Sequence, residues 1–268
     1  MDENKQILNN ARILAIVPAY NEEATIANVA QTLNALGFCD VLVVNDGSSD
    51  KTLEILQGLP VTYLNLPCNL GIGGAVQAGF CYAAENNYDV AFQFDGDGQH
   101  DAASIKDIVL PVLTNKADLV VGSRFVGGEN TFKSTLARQA GILFLSGILK
   151  VATGVRIKDV TSGFRAASKR ALKLFASDYP VDYPEPESLA MVLAKGMQVC
   201  EVPVIMRERA GGTSSIKGFA PLYYMIKVSI AILISSHGTR AAQRHAAKQK
   251  ETLQSETNQN VTTQRAGE

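Results

Sequence analysis

Several features that mark common classes of protein are missing from this sequence of 268 residues. Its four cysteines form no Cys-x-x-Cys pair, which argues against a disulfide framework or zinc site and favours reduced thiols. The formal net charge is only −1, so bulk electrostatics gives no reason to expect nucleic-acid binding. The first ten residues are polar and lack the apolar core of a signal peptide, so we expect the catalytic part to stay in the cytoplasm.

What is present is an alternation of short apolar runs with segments of helical spacing. The predicted strands are 13–17, 41–44, 61–64, 90–94 and 119–122, and the predicted helices are 26–36, 52–56, 73–87 and 104–113. This order predicts an α/β fold with a mostly parallel, Rossmann-like central sheet flanked by helices. Ligands of such sheets bind at the carboxyl ends of the strands. The polar residues that follow the strands at 20–22, 46, 95–99 and 123–124 therefore define one candidate enzyme site.

The alternation ends after Arg124, and the remaining sequence predicts a smaller second region. Helices are expected at 136–152, 169–175 and 187–194, with a strand within 197–206. We therefore divide the chain into a polar segment (1–11), a catalytic domain (12–215) with halves 12–124 and 125–215, an apolar then basic segment (216–250) and a disordered tail (251–268).

The C-terminal segment allows two interpretations. Residues 219–236 are apolar but are interrupted by Lys227, and they sit at the lower limit of the roughly 20 residues that span a bilayer. Arg240, Arg244 and Lys248 follow at a spacing of four and share one helix face. A basic face beside an apolar segment favours amphipathic helices attached to the anionic inner leaflet of the cell membrane. The alternative is a core helix followed by a solvated one.

The segment Asp95-Gly96-Asp97-Gly98-Gln99-His100 directly follows a predicted buried strand. Two carboxylates one residue apart at a strand end can converge on Mg²⁺ or Mn²⁺, and Gln99 can add a carbonyl oxygen. Such a metal would neutralise charge on a departing diphosphate. A solvated acidic turn is the alternative, because Asp-Gly pairs are common in turns.

Two other strand ends carry groups suited to a nucleoside. Tyr20 offers an aromatic ring for stacking, although Asn21 and Glu22 also suit the start of a helix. Asp46 can accept hydrogen bonds from a base or a ribose, or it can belong to a simple turn.

Phosphate recognition is a further possibility at the loops. Glycines within 69–75 precede a helix and allow the backbone to approach a phosphate. Four arginines lie in the second half or at its edge, namely Arg124, Arg138, Arg165 and Arg209. They can recognise phosphate by paired donors or can be solvated surface residues.

Taken in order, the motifs VPAYNEE, VVNDGSSDKT, NLGIGGA, DGDGQH, GSR and TSGFR resemble those of the family-two glycosyltransferases. The resemblance covers about residues 12–215 and is strongest to the dolichyl- and polyprenyl-phosphate mannose and glucose synthases. It implies the GT-A fold, a UDP- or GDP-sugar donor, a polyprenyl-phosphate or glycan acceptor, inversion at the anomeric carbon and a part in making cell-envelope polysaccharide or glycoconjugates. It leaves the oligomeric state open.

The resemblance also implies roles for particular residues. The expected nucleotide-sugar site is Pro18, Ala19, Tyr20, Glu22, Asp46, Gly71, Gly74, Asp95 and Arg209, and the expected metal ligands are Asp95, Asp97 and Gln99. The expected acceptor site is Arg124, Arg138, Ser162 and Arg165, and the expected catalytic residues are Asp97, Arg124, Arg165 and Glu187.

The acceptor decides whether a general base is required. A lipid phosphate is already ionised near neutral pH, whereas a sugar hydroxyl needs a carboxylate base, for which Asp182, Glu185 and Glu187 are candidates. Two other classes remain as alternatives, a sugar nucleotidyltransferase and a non-catalytic nucleotide-binding protein.

Overall fold

The computed structural model describes residues 3–127, 136–205 and 225–234. The strands are β1 (Ile13–Ala19), β2 (Asp40–Asn45), β3 (Thr62–Asn65), β4 (Val90–Gln93), β5 (Leu119–Ser123), β6 (Arg165–Ser168) and β7 (Val199–Pro203). The helices are α1 (Glu3–Asn10), α2 (Ile26–Asn34), α3 (Thr52–Gln57), α4 (Gly71–Glu85), α5 (Ile105–Leu113), α6 (Leu136–Thr153), α7 (Lys169–Ser177), α8 (Pro184–Ala194) and α9 (225–234), with a 3-10 turn at Ala102–Ser104.

The seven strands form one sheet in the order β3-β2-β1-β4-β6-β5-β7. Every neighbouring pair is parallel except for the two pairs made by β6, which runs antiparallel to β4 and β5. All seven residues of β1 are buried, as expected for a central strand covered on both faces. The predicted α/β fold with a mostly parallel sheet is confirmed.

Alternate residues of β1 supply the two hydrophobic cores. Leu14 and Ile16 face a core that is completed by α4, α6, α7 and α8, whereas Ile13 and Val17 face a second core completed by α2 and α5. This alternation follows from the two-residue period of a strand. The described helices therefore cover both faces of the sheet.

Two elements were missed by the sequence patterns. Strand β6 is Arg-Ala-Ala-Ser, which has no β-branched or aromatic residue, and it forms because β4 and β5 pair with it from both sides. Helix α1 lies in the segment 1–11, where Leu8 packs into the core beside α5. Helix α8 also starts earlier than predicted, at Pro184, because proline is accepted in the first turn of a helix.

The glycines of α4 are required for different physical reasons. A Cβ atom at Gly73 would lie 2.2 Å from the carbonyl oxygen of Val181, and one at Gly79 would lie 2.3 Å from Ile16 Cγ2. Gly71 has a φ of +77° and open space around it. Gly73 therefore allows α4 to pack on the backbone of 180–181, and only Gly71 fits the phosphate approach predicted from the sequence.

Within the described ranges, no helix combines the length and the apolar character that crossing a bilayer would require. Of the apolar segment 219–236, residues 225–234 are helical. The basic residues at 240–248, the tail 251–268 and the loop around Arg209 lie outside the described residues.

Gly73→Ala should destabilise the protein by about 1–3 kcal/mol, because the added methyl group meets a fixed backbone carbonyl. Urea unfolding followed by circular dichroism measures this difference. Gly147→Ala is the matched control, since it lies within α6 and its Cβ would meet nothing within 4 Å. The control should gain up to about 1 kcal/mol from helix propensity. Equal stabilisation by both substitutions would refute the packing role of Gly73.

Candidate active site

A cleft of about 500 Å³ opens at the carboxyl ends of the central strands. Residues that follow β1, β2, β4 and β5 line it together with the segment before β6 and the first turn of α8. The lining residues predicted from the sequence are Pro18, Ala19, Tyr20, Glu22, Asp46, Gly71, Asp95, Asp97, Gln99, Arg124 and Ser162. A larger cavity of about 850 Å³ lies at the opposite strand ends, where Asp89 and Asp118 already pair with Lys169 and Arg170.

The turns after β1 and β2 are joined into one wall of the cleft. The main-chain N–H of Asn21 donates to Ser48 Oγ at 3.0 Å, and the N–H of Ser49 donates to Asn21 Oδ1 at 2.8 Å. Asn21 therefore connects the two turns and does not cap the next helix. Tyr20 remains 50% exposed at this wall, with its ring available for stacking.

Asp46 is buried and held in a defined orientation. Its Oδ1 accepts a hydrogen bond from the N–H of Leu70 at 2.7 Å, and its carbonyl oxygen accepts one from Asn69 Nδ2 at 3.1 Å. Gly47 makes this contact possible, because a Cβ atom there would lie 2.8 Å from the main-chain nitrogen of Asn69. The carboxylate thus links the end of β2 to the start of α4 at the floor of the cleft.

Asp95 and Asp97 lie in the same cleft at the end of β4. Asp95 Oδ1 accepts a hydrogen bond from Gln93 Nε2 at 2.9 Å, and Asp97 Oδ1 accepts one from the N–H of Gln99 at 3.0 Å. A Cβ atom at Gly163 would lie 2.8 Å from Gln93 Nε2 and 3.6 Å from Asp95 Oδ2. Gln93 was not among the site residues predicted from the sequence, although a glutamine at the end of a buried apolar strand is a recognisable signal.

His100 fixes the position of Asp95 from beneath. Its Nδ1 accepts a hydrogen bond from the N–H of Asp95 at 3.1 Å, so the proton of the neutral ring sits on Nε2, which lies 3.3 Å from Asp95 Oδ2. The ring stacks on Phe164 at 4.7 Å between centroids and meets Phe94 edge-on. Burial lowers the pKa of His100, which keeps the imidazole neutral beneath the acidic turn.

The donor atoms of the acidic turn fit a hard divalent cation. Carboxylates at 95 and 97 and the amide of Gln99 are oxygen ligands on one short turn that faces the cleft. Among the described residues no three His, Cys, Asp or Glu side chains converge as a metal site. A cation held here would therefore take its remaining ligands from water and substrate phosphate, which is typical of Mg²⁺.

The charges around the cleft are strongly unbalanced. Among the lining residues of the described ranges there are five carboxylates, Glu22, Asp46, Asp95, Asp97 and Glu185, and one guanidinium, that of Arg124. A diphosphate entering this site would meet net negative charge unless a cation accompanied it.

Arg124 is held by a buried carboxylate. Its Nε and Nη2 donate to the two oxygens of Asp159 at 2.7 Å each, and its main-chain N–H donates to Asp159 Oδ2 at 3.0 Å. Nη2 also donates to Thr161 Oγ1 at 3.0 Å. Asp159 is fully buried, so it orients the arginine and is not available as a base.

Glu201 on β7 positions this pair from behind. Its two carboxylate oxygens accept hydrogen bonds from the N–H groups of Lys158 and Asp159 at 2.8 and 2.9 Å. The loop between α6 and β6 is therefore fixed by Glu201, and Asp159 on that loop fixes Arg124. No sequence motif pointed to Glu201, because the contact joins residues more than 40 positions apart.

Arg165 joins the two segments that form the acceptor-side wall. Its guanidinium donates to the carbonyl oxygens of Ser162 and Glu185 at 2.6 Å, to that of Val160 at 3.2 Å and to Ser188 Oγ at 2.9 Å. It is buried and is not one of the residues that line the cleft. Its visible role is to bind the first turn of α8 to the loop before β6.

The three candidate bases have separate surroundings. Glu185 lines the cleft, and burial raises its pKa, an effect that Arg165 opposes and Asp95 reinforces. Asp182 forms an exposed ion pair with Lys227. Glu187 does not line the cleft; burial and Asp178 raise its pKa, while Lys227 lowers it. Only Glu185 therefore has access to a substrate in this cleft.

The remaining predicted residues are either away from the cleft or not described. Gly74 does not line the cleft, and a Cβ atom there would lie 2.5 Å from Leu70 Cβ. Arg209 and the side chain of Arg138 are outside the described residues.

The fold and the cleft define an α/β protein with a candidate ligand site at the carboxyl ends of its parallel strands. Residues 14–175 match the model of glycosyl transferase family 2, and the chain belongs to this family. The resemblance read from the motifs is thus confirmed.

Two curated relatives align with most of the chain. The chain is 32% identical over 241 residues to UDP-N-acetylglucosamine–dolichyl-phosphate N-acetylglucosaminyltransferase of Methanococcus voltae, covering 81% of this chain and 96% of that protein. It is 31% identical over 220 residues to undecaprenyl-phosphate mannosyltransferase of Micrococcus luteus, covering 77% of this chain and 88% of that protein.

Solved structures share the architecture. Glucosyl-3-phosphoglycerate synthase of Mycobacterium tuberculosis in complex with UDP superposes with a TM-score of 0.64 at 21% identity, covering 88% of this chain and 83% of that one. At this identity the likeness establishes the fold alone, and the GT-A fold implied by the motifs is confirmed.

Asp159→Asn should destabilise the protein by about 3–5 kcal/mol, because it leaves the buried guanidinium of Arg124 without its counter-charge. Denaturant unfolding measures the loss. Asp182→Asn is the matched control: it removes one partner of an exposed ion pair and should change stability by less than about 1 kcal/mol. Similar values for the two variants would contradict a structural role for the Arg124–Asp159 pair.

Proposed function

We propose that this protein is an inverting, metal-dependent glycosyltransferase that moves a hexose from a UDP- or GDP-sugar to polyprenyl phosphate. The main support is the cleft itself, which joins an aromatic and acidic nucleoside wall, a pair of aspartates and an arginine-bearing wall in one space. Relatives whose names specify dolichyl- or undecaprenyl-phosphate acceptors support this acceptor class. The product would serve cell-envelope polysaccharide or glycoconjugate synthesis.

For the donor we infer that Tyr20 stacks on the base and that Asp46 accepts hydrogen bonds from the nucleoside. The exposed ring of Tyr20 and the fixed carboxylate of Asp46 support these roles. The ribose and diphosphate would then extend past Pro18 and Gly71 toward the acidic turn. Either uracil or guanine satisfies these contacts.

Asp95, Asp97 and Gln99 would hold Mg²⁺ or Mn²⁺, which when bound supplies positive charge to the diphosphate leaving group. The excess of carboxylates in the cleft supports this requirement, because these residues would otherwise repel the donor. A solved structure of the same fold holds Mn²⁺ and UDP, which supports a divalent cation as cofactor. His100 and Gln93 would keep Asp95 oriented throughout.

On the acceptor side, an oxygen of the lipid phosphate would attack the anomeric carbon in line with the departing nucleoside diphosphate. This oxygen is already ionised near neutral pH, since the second pKa of a phosphate monoester is about 6. Arg124 would orient the phosphate, and its fixed pairing with Asp159 supports a positioning role. Thr161 and Ser162 line the same wall, where Ser162 Oγ donates to the carbonyl oxygen of Gly122 at 2.6 Å. Arg165 would act indirectly by holding Ser162 and Glu185 in place.

A second candidate reaction is transfer to a sugar hydroxyl of a lipid-linked glycan. Glu185 is the carboxylate that favours it, because it lines the cleft with a raised pKa suited to a general base. In this reaction Glu185 would take the hydroxyl proton as the oxygen attacks. The intact aspartate pair speaks against a purely binding protein, and the absence of a Lys/Arg-bearing glycine loop after β1 speaks against a nucleotidyltransferase.

We place the reaction at the cytoplasmic face of the cell membrane, with the protein attached peripherally. A polyprenyl phosphate keeps its hydrocarbon chain in the bilayer, so the enzyme must reach the head group from the surface.

Asp97→Asn should lower kcat on the order of 100- to 1000-fold and should abolish the metal-dependent part of UDP or GDP binding. The readout is hexose transfer from a panel of UDP- and GDP-sugars, together with calorimetric titration of the nucleotide with and without Mn²⁺ or Mg²⁺. Asp107→Asn on the exposed side of α5 is the control and should match the wild type. Nucleotide binding by the wild type that is indifferent to metal would reject the proposal.

Glu185→Gln separates the two acceptor reactions. With polyprenyl phosphate as acceptor, kcat should fall by less than about tenfold, whereas loss of a general base would reduce it by about 10²–10⁴. Glu187→Gln is the matched control outside the cleft.

Glu185→Gln should also change the melting temperature, by an amount that depends on pH. A raised pKa means that ionised Glu185 opposes folding, and this penalty grows as pH rises above the unfolded value near 4.3. Glu185→Gln should therefore raise Tm at pH 8 more than at pH 4. An equal Tm change at both pH values would contradict this account of the burial of Glu185.

A further inference from the structure

Helices α6 and α9 are apolar on two faces. Their inner faces belong to one core cluster, to which α6 contributes Leu145 and Leu149 and α9 contributes Val228 and Ile232. A Cβ atom at Gly141 would lie 3.7 Å from Met225 Sδ, so the two helices are direct neighbours. A surface helix of a soluble protein normally turns polar residues outward.

The outward faces depart from that rule. On α6, Leu143 is 62% exposed and Val151 71% exposed, and Phe144 lies beside them at helical spacing. On α9, Ile230 is 52% exposed and Ile234 70% exposed. The large exposed apolar residues of the two helices, named here the apolar face, are Leu143, Phe144, Val151, Ile226, Ile230, Leu233 and Ile234. An apolar surface of this kind marks a site that another apolar phase covers.

The exposed charged residues on and just after α6 are basic. Residues 136–158 contain four basic and no acidic residues. Lys150, Arg156 and Lys158 are exposed on or just after α6, while Lys227 is paired with Asp182.

We infer that the apolar face is a membrane-docking surface that inserts into the acyl boundary of an anionic bilayer while the surrounding cations contact lipid head groups. Apolar side chains beside basic ones are the combination that binds such an interface. A second copy of this chain fits less well, because a symmetric contact would oppose one basic border to the other.

The position of the apolar face suits the cleft. Lys227 of α9 pairs with Asp182 and lies 6.0 Å from the ring centroid of Tyr183. Two residues further along, Glu185 lines the cleft. A bilayer under α9 would thus lie next to the acceptor-side wall. This link to a lipid acceptor rests on the proposed function, whereas docking itself does not.

The test is flotation of the purified full-length chain with vesicles that contain no polyprenyl phosphate. Vesicles of phosphatidylcholine alone are compared with vesicles that also contain phosphatidylglycerol. The wild type should bind the anionic vesicles, and Leu143→Glu should weaken this binding at least about fivefold. Gln57→Glu on α3 introduces the same charge on an exposed site away from the apolar face and should leave binding unchanged.

A second pair of variants tests the charged border. Lys150→Glu should weaken binding to anionic vesicles by about fivefold or more, since one basic residue near an anionic surface contributes about 1 kcal/mol. Lys116→Glu, exposed at the end of α5, is its control and should bind like the wild type. Circular dichroism verifies that each variant is folded, as expected for substitutions of exposed residues.

Three results would overturn the inference. They are failure of the wild type to bind anionic vesicles, equal binding by Leu143→Glu and Lys150→Glu, or a concentration-dependent dimer that Leu143→Glu dissociates. Transfer to a short, water-soluble isoprenyl phosphate is measured separately. Normal transfer without vesicle binding would reject the docking surface alone, and vesicle binding without transfer would reject the proposed function alone.

Discussion

The buried pair of Arg124 and Asp159 connects the parts of this protein that must act together. It ties the end of β5 to the loop before β6, and that loop brings Gly163 against Gln93 and Asp95. A buried ion pair of this kind adds little net stability but is costly to break. The pair therefore acts mainly on geometry, because it fixes the guanidinium, the loop and the end of β4 relative to one another.

Negative charge in the cleft is the complementary constraint. Five carboxylates around one arginine form an electrostatically unfavourable site, and Asp95 adds to the effect of burial in raising the pKa of Glu185. Like charges at a binding site commonly lower the stability of the folded state where a ligand of opposite charge binds. The carboxylates, the proposed metal and the diphosphate are therefore parts of one electrostatic balance. Away from the cleft, α6 and α9 expose apolar side chains.

Much of the cleft was predictable because parallel strands bring their carboxyl ends to one edge. Tyr20, Asp46, Asp95, Asp97 and Arg124 could be assigned to a common site from that rule and from the motifs. The rule fails for side chains whose neighbours come from distant segments. Sequence spacing does not predict that Arg165 donates to main-chain carbonyl oxygens. It also does not predict that Glu185 lines the cleft whereas Glu187 does not.

The sequence by itself determined the α/β class, the succession of the first five strands along the chain, the family and the acidic turn. Each of these follows from local periodicity or from short contiguous motifs. Only the tertiary structure decided that Arg-Ala-Ala-Ser becomes a central antiparallel strand and that Gly73 serves packing. It also decided that Glu201 supports Asp159 across the sheet. These outcomes depend on contacts between residues far apart in the chain, which no local pattern encodes.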